Sequence, residues 1–529
     1  VREIVARYGW PADWVGVRLA EWQRSGRLVR GVFRRELASV AEPEWCSTRL
    51  VETARRRALD ALRKSVQAIP FTAFAAFLQR WQRLDPRDRL EGREGTRTVL
   101  AQLAGIARPG HAWERHYLPA RLAPYDPAAL AGLCATGEIA WLGESGDDTA
   151  KTGIRALARV RFVERGEAAP WLRGDPPAPE TLSPDARTVL AALERSGAVF
   201  TADLAAATGL RPLLLHEALR ELVAAALVTN DTAEALREVL RTPPMPPREE
   251  APPPADDGRW LPSSFTPTPG RPTYQRPRPN VRSLPRWRRP DLDTAPGAGR
   301  GAGWTGRWSL ARTPGLMGPE LPEEEQAERV ARQWLVRYGV VSRDWWRRER
   351  PAPSWRAIYR ELKRLEMRGE VRRGYFVEGL AGAQFALPEV VERLRLATED
   401  PEPPVIVMAS SDPANVHALP ADQGMPRDPL GRPRGSGAVV VTRAGRVVLA
   451  AENGGKRLTV APEAREEDVR DAAAALSAHL LAAPSVARRL RDLEVATIDG
   501  VPAATSRWAS AFADAGYRRG VKGLRWMGR

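Results

Sequence analysis

Residues 323–388 constrain the fold more than any other stretch of this chain, because they predict three helices and a β-hairpin in unbroken succession. Apolar side chains recur at three- and four-residue spacing across residues 323–338, as in an amphipathic helix, and Gly339 follows where a C-cap is expected. Two tryptophans mark a short second helix, and a third helix begins after Ser354 and ends at Gly369. Three helices followed by a hairpin are typical of a winged helix, in which the hairpin is the wing.

The third helix and the hairpin of this unit carry the basic side chains that contact with DNA requires. Lysine and arginine bind backbone phosphates, and an aromatic ring beside them stacks on an exposed base. We therefore predict a DNA-binding surface formed by Arg356, Lys363, Arg364, Arg372, Arg373 and Tyr375.

The same signature occurs near the N-terminus, because residues 26–33 match residues 369–376 in both glycines, in the second arginine and in the phenylalanine. Fainter versions lie in between, where Asp126 and Ser183 each precede a proline that starts a helix. The sequence therefore predicts tandem winged-helix modules. The wing arginines of the first two modules are further predicted DNA contacts: Arg27, Arg30, Arg155, Arg159 and Arg161.

The C-terminal part is different, because short valine-rich strands separated by glycine turns replace the helical pattern. This pattern predicts a small barrel or a covered sheet. The predicted fold class is α+β, with tandem winged-helix modules followed by a β-barrel-like C-terminal module. The predicted segments are 1–40, a winged helix incomplete at its start; 41–95, a helical connector; 96–170, a winged helix with a long wing hairpin; 180–240, a helix-turn-helix module; 241–315, a linker rich in proline and arginine; 320–396, a winged helix; and 401–529, the β-rich module with helices.

The segment 241–315 has a composition that does not form an ordinary core, since sixteen of the 47 prolines lie between residues 243 and 296. Eleven arginines stand against two aspartates from Gly258 to Thr313, interleaved with aromatic residues. Two interpretations are equally supported: a contact for single-stranded DNA, or a solvated linker whose tryptophans dock on neighbouring domains. The first interpretation selects Trp304, Arg307 and Trp308 as contacts.

A formal net charge of +16 favours a polyanionic partner, and nucleic acid is the usual one. The alternative is a GC-rich genome, since 76 of the 81 basic residues are arginine. Two isolated cysteines fit a reducing cytoplasm, and we predict a cytoplasmic protein without a membrane span. The first residue is valine, so we expect the sequence to be part of a longer polypeptide.

Enzymatic signatures are weak in this sequence. No glycine loop ends in Gly-Lys-Ser/Thr, so we predict neither ATP hydrolysis nor a bound cofactor, and the scattered histidines predict no metal. Asp412 follows a strand and is the best candidate for a catalytic carboxylate, although a turn that closes the strand is the simpler account. Asp514, the last acidic residue, is the second candidate.

Five stretches together resemble the C-terminal region of the bacterial large helicase-related (Lhr) proteins, which are ATP-dependent DNA helicases. The stretches are 306–310 (Gly-Arg-Trp-Ser-Leu), 369–379 (Gly-Glu-Val-Arg-Arg-Gly-Tyr-Phe-Val-Glu-Gly), 384–388 (Gln-Phe-Ala-Leu-Pro), 411–415 (Ser-Asp-Pro-Ala-Asn) and 522–526 (Lys-Gly-Leu-Arg-Trp). The resemblance implies a helicase core outside this chain that uses ATP and Mg²⁺ to translocate on single-stranded DNA from 3′ to 5′. It also implies a homo-oligomer, for which the apolar run Leu213–Leu215 offers a contact surface.

These observations favour a DNA-binding and assembly region of a DNA-repair helicase, acting on single-stranded DNA or on DNA with a single-stranded tail. The competing class is a winged-helix DNA glycosylase that excises uracil or alkylated bases. The resemblance does not place its catalytic residues, because this chain has no Gln-x-Gln or Gln-x-Asp signature and no carboxylate after residue 520. A transcriptional regulator is a third possibility, which the number of modules disfavours.

Overall fold

The computed structural model describes residues 1–33, 44–54, 57, 68–145, 157–172, 176–241, 304–349, 352–380, 382–396, 400–418, 430, 437–482, 493–520 and 523–527. These residues divide into two compact units. The first unit comprises residues 1–140, 160–175 and 312–529, and the second comprises residues 141–159 and 176–311. None of the described helices is both long enough and apolar enough to cross a membrane.

The first unit begins with two helices and an antiparallel hairpin: α1 (Arg2–Tyr8), α2 (Ala12–Arg24), β1 (Leu28–Gly31) and β2 (Glu44–Ser47). Gly9 ends α1 with a φ of 69°, in the left-handed region that glycine adopts without strain. Val15 and Leu19 are the buried residues of α2. Trp22, which its spacing places on the same face, is exposed in the structure.

The second winged helix follows as α3 (Phe71–Trp81), α4 (Gly92–Gln102), β3 (Arg108–Pro109), α5 (Leu118–Arg121), α6 (Pro127–Ala135), β4 (Ile139–Ser145) and β5 (Leu157–Glu164). Its strands are ordered β3-β5-β4. The predicted cap is present, because an Asp126 carboxylate oxygen accepts from the amide of Ala128 at 2.9 Å. Phe71, Phe74 and Phe77 of α3 are buried and belong to the core of this module.

The second unit contains α7 (Pro184–Ser196), β6 (Val199–Phe200), α8 (Thr201–Thr208), α9 (Pro212–Ala224), β7 (Val228–Asn230), α10 (Ala233–Arg241) and β8 (Arg307–Leu310). Strand β8 lies between β6 and β7 and is antiparallel to both. This strand comes from the end of the segment that we predicted to be a linker. The module therefore has a three-stranded sheet, although its own sequence predicts little wing.

The winged helix predicted for residues 320–396 also lies in the first unit. It contains α11 (Pro314–Met317), α12 (Glu323–Tyr338), β9 (Val340–Val341), α13 (Arg343–Arg348), α14 (Trp355–Arg368), β10 (Arg372–Gly374), β11 (Gln384–Ala386) and α15 (Pro388–Leu396). The strands are ordered β10-β11-β9. Trp345 of α13 is fully buried and stacks on Tyr338 at a centroid distance of 4.1 Å. The predicted succession of three helices and a hairpin is confirmed.

The C-terminal module contains β12 (Val405–Ala409), β13 (Val439–Arg443), β14 (Arg446–Glu452), β15 (Arg457–Val460), α16 (Glu466–Ala482), β16 (Glu494–Val495), β17 (Thr497–Ile498), β18 (Val501–Pro502), α17 (Ala509–Asp514), β19 (Tyr517–Arg519) and β20 (Leu524–Trp526). Six strands form one sheet, in the order β12-β13-β14-β15-β17-β18, and three form another, β16-β20-β19. Apolar residues of α16, including Val469 and Leu476, share a buried cluster with the larger sheet.

The predicted β-barrel-like closure is not confirmed. The module contains the predicted strands, but in the part of the chain that the structure describes, the larger sheet is open, with β12 and β18 at its edges. A sheet closes only when its edge strands pair with each other, and α16 instead covers one face of this sheet. The module is a helix-covered open sheet.

Candidate nucleic-acid interface

Helix α14 is the predicted recognition helix, and local sequence signals set its ends. The Ser354 hydroxyl accepts from the amide of Ala357 at 3.2 Å, and Gly369 ends the helix with a φ of 80°. Ile358, Leu362 and Leu365 face inward and are buried. The opposite face of the helix, with its basic residues, is therefore turned toward solvent.

Acidic residues of α12 engage part of this basic face. Glu324 accepts from Arg360 at 2.8 Å and from Arg364 at 3.4 Å, while Arg364 also donates to Glu361 at 2.9 Å. Two other predicted contacts on α14 are not engaged in this way: Arg356 and Lys363 are exposed and have no ion-pair partner among the described residues.

The wing presents a second group of predicted contacts. Arg372 pairs with Glu392 at 3.2 Å, and Arg373 lies 4.0 Å from a carboxylate oxygen of Glu366. Tyr375 lies just beyond β10 and is 69% exposed, the largest exposed fraction of any large hydrophobic side chain in the described residues. An exposed phenol that follows two arginines in the sequence is suited to stack on a sugar or a base.

Exposed ion pairs of this kind do not block a phosphate. A solvent-exposed salt bridge contributes about 0–1 kcal/mol, so replacing a carboxylate partner by a phosphate costs little. Arg364 and Arg372 are about half and a third exposed, respectively, and their partners Glu324 and Glu392 are more than half exposed. Arg364 and Arg372 can therefore exchange Glu324 and Glu392 for a phosphate, whereas Glu361 beside Arg364 and Glu366 beside Arg373 are buried carboxylates.

The wing is held in place by a residue that sequence reasoning missed. Gln384 is fully buried on β11, and its carbonyl oxygen accepts from the amides of Phe376 and Val377 at 2.9 Å each. Its amide nitrogen donates to the carbonyl of Val377 at 2.8 Å. Ile69 adds a second anchor, donating to the carbonyl of Phe376 at 2.9 Å. One buried amide side chain thus supplies hydrogen-bond partners to the backbone of Phe376 and Val377, directly after Tyr375.

The predicted DNA contacts of the first two modules differ in their exposure to solvent. Arg27 and Arg30 are exposed, and Arg30 lies over the ring of Trp45 at 5.7 Å. Arg159 is half-buried beside Glu144, whereas Arg161 is buried and donates to the carbonyl of Trp171 at 2.7 Å. Arg161 is therefore a core residue, because its place in the buried β5 leaves no access to DNA. Arg155 lies outside the described residues.

The contacts predicted near β8 are largely structural. Trp308 is fully buried, and its indole nitrogen donates to the Thr201 hydroxyl at 3.0 Å. Its prediction as a base-stacking residue is wrong, because strand pairing places the ring in the core. Trp304 stacks on His216 at a centroid distance of 3.9 Å, and Arg307 is about half exposed and pairs with Asp231 at 2.9 Å.

Asp412, the first candidate for a catalytic carboxylate, forms a buried ion pair. Its two oxygens accept from Arg121 at 2.7 and 2.9 Å, and both side chains are inaccessible to solvent. One of these oxygens also accepts from the amide of Ala414 at 2.8 Å. A carboxylate in this position cannot approach a sugar, so the geometry favours a structural role for Asp412. No local signal predicts this pair, because its partners are 291 positions apart.

Further buried polar groups surround this pair. Gln82 accepts from Arg121 at 2.9 Å, and the hydroxyls of Tyr117 and Ser411 are 2.7 Å apart. Burial raises the pKa of Tyr117 to about 12. His116 is buried and stacks on His479 at 5.9 Å, and burial together with the charge of His479 lowers its pKa to about 4. Gln82, Tyr117 and Ser411 are thus neutral hydrogen-bonding groups near one compensated charge pair, while both ring nitrogens of His116 are buried without a hydrogen-bond partner among the described residues.

A second buried ion pair joins Arg337 and Glu349. Burial alone would raise the pKa of Glu349, but the Arg337 charge and hydrogen bonds from Arg337 and Tyr338 lower it overall. Glu349 also accepts from the indole nitrogen of Trp334 at 2.9 Å. Each hydrogen bond favours the ionised carboxylate, so this pair is another structural element of the winged helix.

Asp514, the second catalytic candidate, lies at the end of α17 and is exposed. It is close enough to Arg470 for its charge to raise the pKa of that guanidinium, together with the larger effect of Asp471. An exposed carboxylate is accessible to a substrate. Its surroundings do not otherwise distinguish it from a solvated surface residue.

A cleft of about 1820 Å³ also lies in the first unit, between α3, the turn after β13 and the start of α16. Its described lining contains eight carboxylates and six arginines. This balance does not favour a polyanion. The surface formed by α14 and the wing is therefore the better nucleic-acid interface.

Comparison with known proteins identifies two of the modules. Residues 69–162 and 320–405 each match a family model described as "Large helicase-related protein, winged-helix domain". The first match starts within the stretch that we predicted to be a helical connector. Both matched regions contain the helices and hairpins described above.

Two curated proteins are similar along nearly the whole chain. One, from Mycolicibacterium smegmatis, is named "Lhr helicase/ probable uracil glycosylase"; it is 32% identical, and the alignment covers 99% of this chain and 32% of the relative. The other, from Escherichia coli, is named "Lhr helicase/uracil glycosylase"; it is 27% identical over 97% of this chain and 32% of the relative. The chain spans about a third of the length of both relatives.

Proposed function

Because this chain belongs to the large helicase-related family, we propose that it is a DNA-binding region of an ATP-dependent DNA helicase that acts in repair. The observation that supports this proposal is the exposed surface formed by α14 and the wing, where Arg356 and Lys363 have no acidic partner among the described residues and Tyr375 is largely exposed.

The geometry suggests how such a surface binds. In winged-helix recognition, a helix enters the major groove and positions its basic residues, while phosphate contacts fix the register of the protein. In this chain Arg356 and Lys363 would bind phosphates beside α14, Arg372 would exchange its exposed partner Glu392 for a phosphate, and Arg373 would add positive charge beside it. Tyr375 would stack where a duplex passes into a single strand.

In this proposal, ATP and Mg²⁺ belong to a helicase core outside these 529 residues. The 3′-to-5′ translocation on single-stranded DNA is likewise proposed for the whole protein. The described modules would hold the DNA while the core moves along it. Both relatives are named helicases, which supports this division.

The test is a titration of the full 529-residue chain with a fluorescent tailed duplex at increasing salt concentration. Replacing Arg356 and Lys363 together by alanine should weaken binding on all sequences alike. The slope of log affinity against log salt should become shallower by roughly 0.7 to 0.9 per lost phosphate contact. Arg465→Ala, at a largely exposed arginine of the β-rich module, is the matched control. An affinity independent of salt would contradict the proposal.

Base excision is a second candidate function, because both relatives carry "uracil glycosylase" in their names and align along this whole chain. Excision requires a flipped base and a carboxylate or activated water near the sugar. Asp514 is the accessible candidate and Asp412 the inaccessible one. Incubation with uracil-containing single-stranded DNA should yield alkali-labile sites, and Asp514→Asn should abolish them without loss of DNA affinity. Cleavage that persists in Asp514→Asn would exclude this placement.

Self-association of the chain is also a proposal, but the run that we predicted as its contact surface is only partly exposed. Leu213 is exposed at 57%, but Leu215 is fully buried in α9, so the run Leu213–Leu215 is not a continuous apolar patch. Light scattering at micromolar concentration tests the homo-oligomer directly. A monomeric mass would oppose an assembly role.

A further inference from the structure

The first module carries a concentration of exposed aromatic side chains. Tyr8, Trp10 and Trp14 are 57%, 45% and 47% exposed, respectively. Burial of such rings normally dominates the stability of a core, so three exposed rings in seven residues call for an explanation. We name the three rings the aromatic cluster.

The rings form one connected group. Tyr8 and Trp10 are stacked, with centroids 5.1 Å apart and planes inclined by 21°. Trp10 and Trp14 meet edge to face at 5.2 Å. Gly9, in the left-handed conformation, ends α1, and Pro11 starts α2. This short turn fixes the position of Trp10 between the two helices, so little conformational entropy remains to be lost on binding.

Arginines flank the cluster at both ends. Arg7 lies over the Tyr8 ring at 5.7 Å, and Arg18 lies over the Trp14 ring at 5.6 Å. Residues 1–33 contain six arginines and three acidic residues, so the module is positively charged. The acidic partner of Arg18 is Glu21, in an exposed pair at 2.7 Å that a phosphate replaces at low cost.

We propose that the aromatic cluster is a stacking platform for single-stranded nucleic acid, with Arg7 and Arg18 binding the adjacent phosphates. Exposed rings between arginines match this ligand, since bases stack on the rings while guanidinium groups neutralise the backbone. A purely apolar protein partner would gain nothing from the arginines. The inference rests on the proposed DNA-binding function and adds a second site that binds bases rather than duplex grooves.

The first experiment is photocrosslinking of the full chain to an oligothymidine that carries one 5-iodouracil. Trypsin cuts after Arg7 and after Arg18, so all three rings fall on one peptide, residues 8–18. The crosslink is expected on this peptide. Crosslinks confined to other peptides overturn the inference.

The second experiment measures affinity for single-stranded and duplex DNA. Trp10→Ala and Trp14→Ala should each weaken single-strand binding about fivefold or more, because each removes one base stack. Trp14→Phe should retain most of the affinity. Duplex binding should not change, since paired bases are not available to the rings. Trp22→Ala, at an exposed tryptophan of the same helix outside the cluster, is the matched control.

The outcomes separate this inference from the proposed function. Unchanged single-strand affinity in the alanine variants, with normal binding by the native chain, overturns the platform and leaves the DNA-binding function standing. Loss of self-association without loss of DNA affinity also overturns it, because the cluster would then be an interface between copies. Absence of all DNA binding by the native chain refutes both proposals.

Discussion

Replacing Asp412 by asparagine tests whether this carboxylate supports the fold or performs chemistry. Both of its oxygens accept from Arg121, and both side chains are excluded from solvent. Asparagine keeps the shape of the side chain but loses the negative charge and one acceptor. The guanidinium of Arg121 would then be buried without a counter-charge.

The magnitude follows from this geometry. Removing one partner of a buried ion pair costs about 3–5 kcal/mol. Arg121 keeps hydrogen bonds to the carbonyl of Tyr117 at 3.0 Å and to Gln82 at 2.9 Å, so the lower end of that range applies. A loss of about 3 kcal/mol corresponds to a decrease of roughly 6–12 °C in the melting temperature of a mid-sized domain.

The assay is thermal unfolding followed by circular dichroism, with amide hydrogen exchange at residues 117–121 and 410–416 as the local measurement. Asp412→Asn should lower the melting temperature and speed exchange in both segments. Adding Arg121→Met to Asp412→Asn should recover part of the loss, because no unpaired charge then remains. Asp514→Asn is the exposed control and should leave the melting temperature unchanged. An Asp412→Asn variant that keeps its stability but loses base excision would refute the structural role.

Three further perturbations test other parts of the structure. Gln384→Ala should cost about 3 kcal/mol and speed exchange at residues 374–380, because it leaves buried amides of the wing unpaired. Unchanged exchange in this segment would contradict the anchoring role of Gln384. His116→Phe should flatten the pH dependence of the unfolding free energy between pH 6.5 and 4. The pKa of His116 is about 4 in the folded state and 6.5 in the unfolded state, so the unfolded state binds the proton first as the pH falls. Native His116 therefore destabilises the fold through this window, by up to about 3 kcal/mol at pH 4. Identical slopes for native and variant chains in urea titrations would exclude this effect. Glu324→Gln should tighten DNA binding roughly two- to fivefold at low salt, because it frees Arg360 and removes one of the two carboxylate partners of Arg364, and unchanged affinity would place DNA elsewhere.

Local features of the fold were predictable from the sequence. Ser354 and Gly369, which the sequence predicts as the ends of the third helix, mark the ends of α14 in the structure. The turn at Ala444 and Gly445 has φ values of 49° and 72°, in the region expected for a tight hairpin. These signals arise from residues only a few positions apart, so they are visible in the sequence without knowledge of the tertiary structure.

Features that depend on distant pairing were not predictable. The partner of Asp412 is 291 positions away, and nothing beside Arg121 indicates which carboxylate it will meet. Trp308 stands next to arginine, as a base-stacking residue would, but its burial follows from pairing with β6 and β7. The C-terminal sheet is open among the described residues because its edge strands β12 and β18 do not pair with each other, and the sequence does not show which strands pair. The location of the candidate interface stays a prediction, and Gln384, which holds the wing, was missed.

The return of β8 to a sheet begun more than 75 residues earlier has a consequence for variation in length. Both ends of the stretch 242–303 connect to the same module, since α10 precedes it and β8 follows it. The free energy of bringing two ends of a chain together grows only with the logarithm of the intervening length, about 0.6 kcal/mol for each doubling. By this contribution alone, a change in the number of residues between α10 and β8 alters the stability of the module little, whereas a proline within Arg307–Leu310 would remove a backbone donor from a strand that lies between β6 and β7.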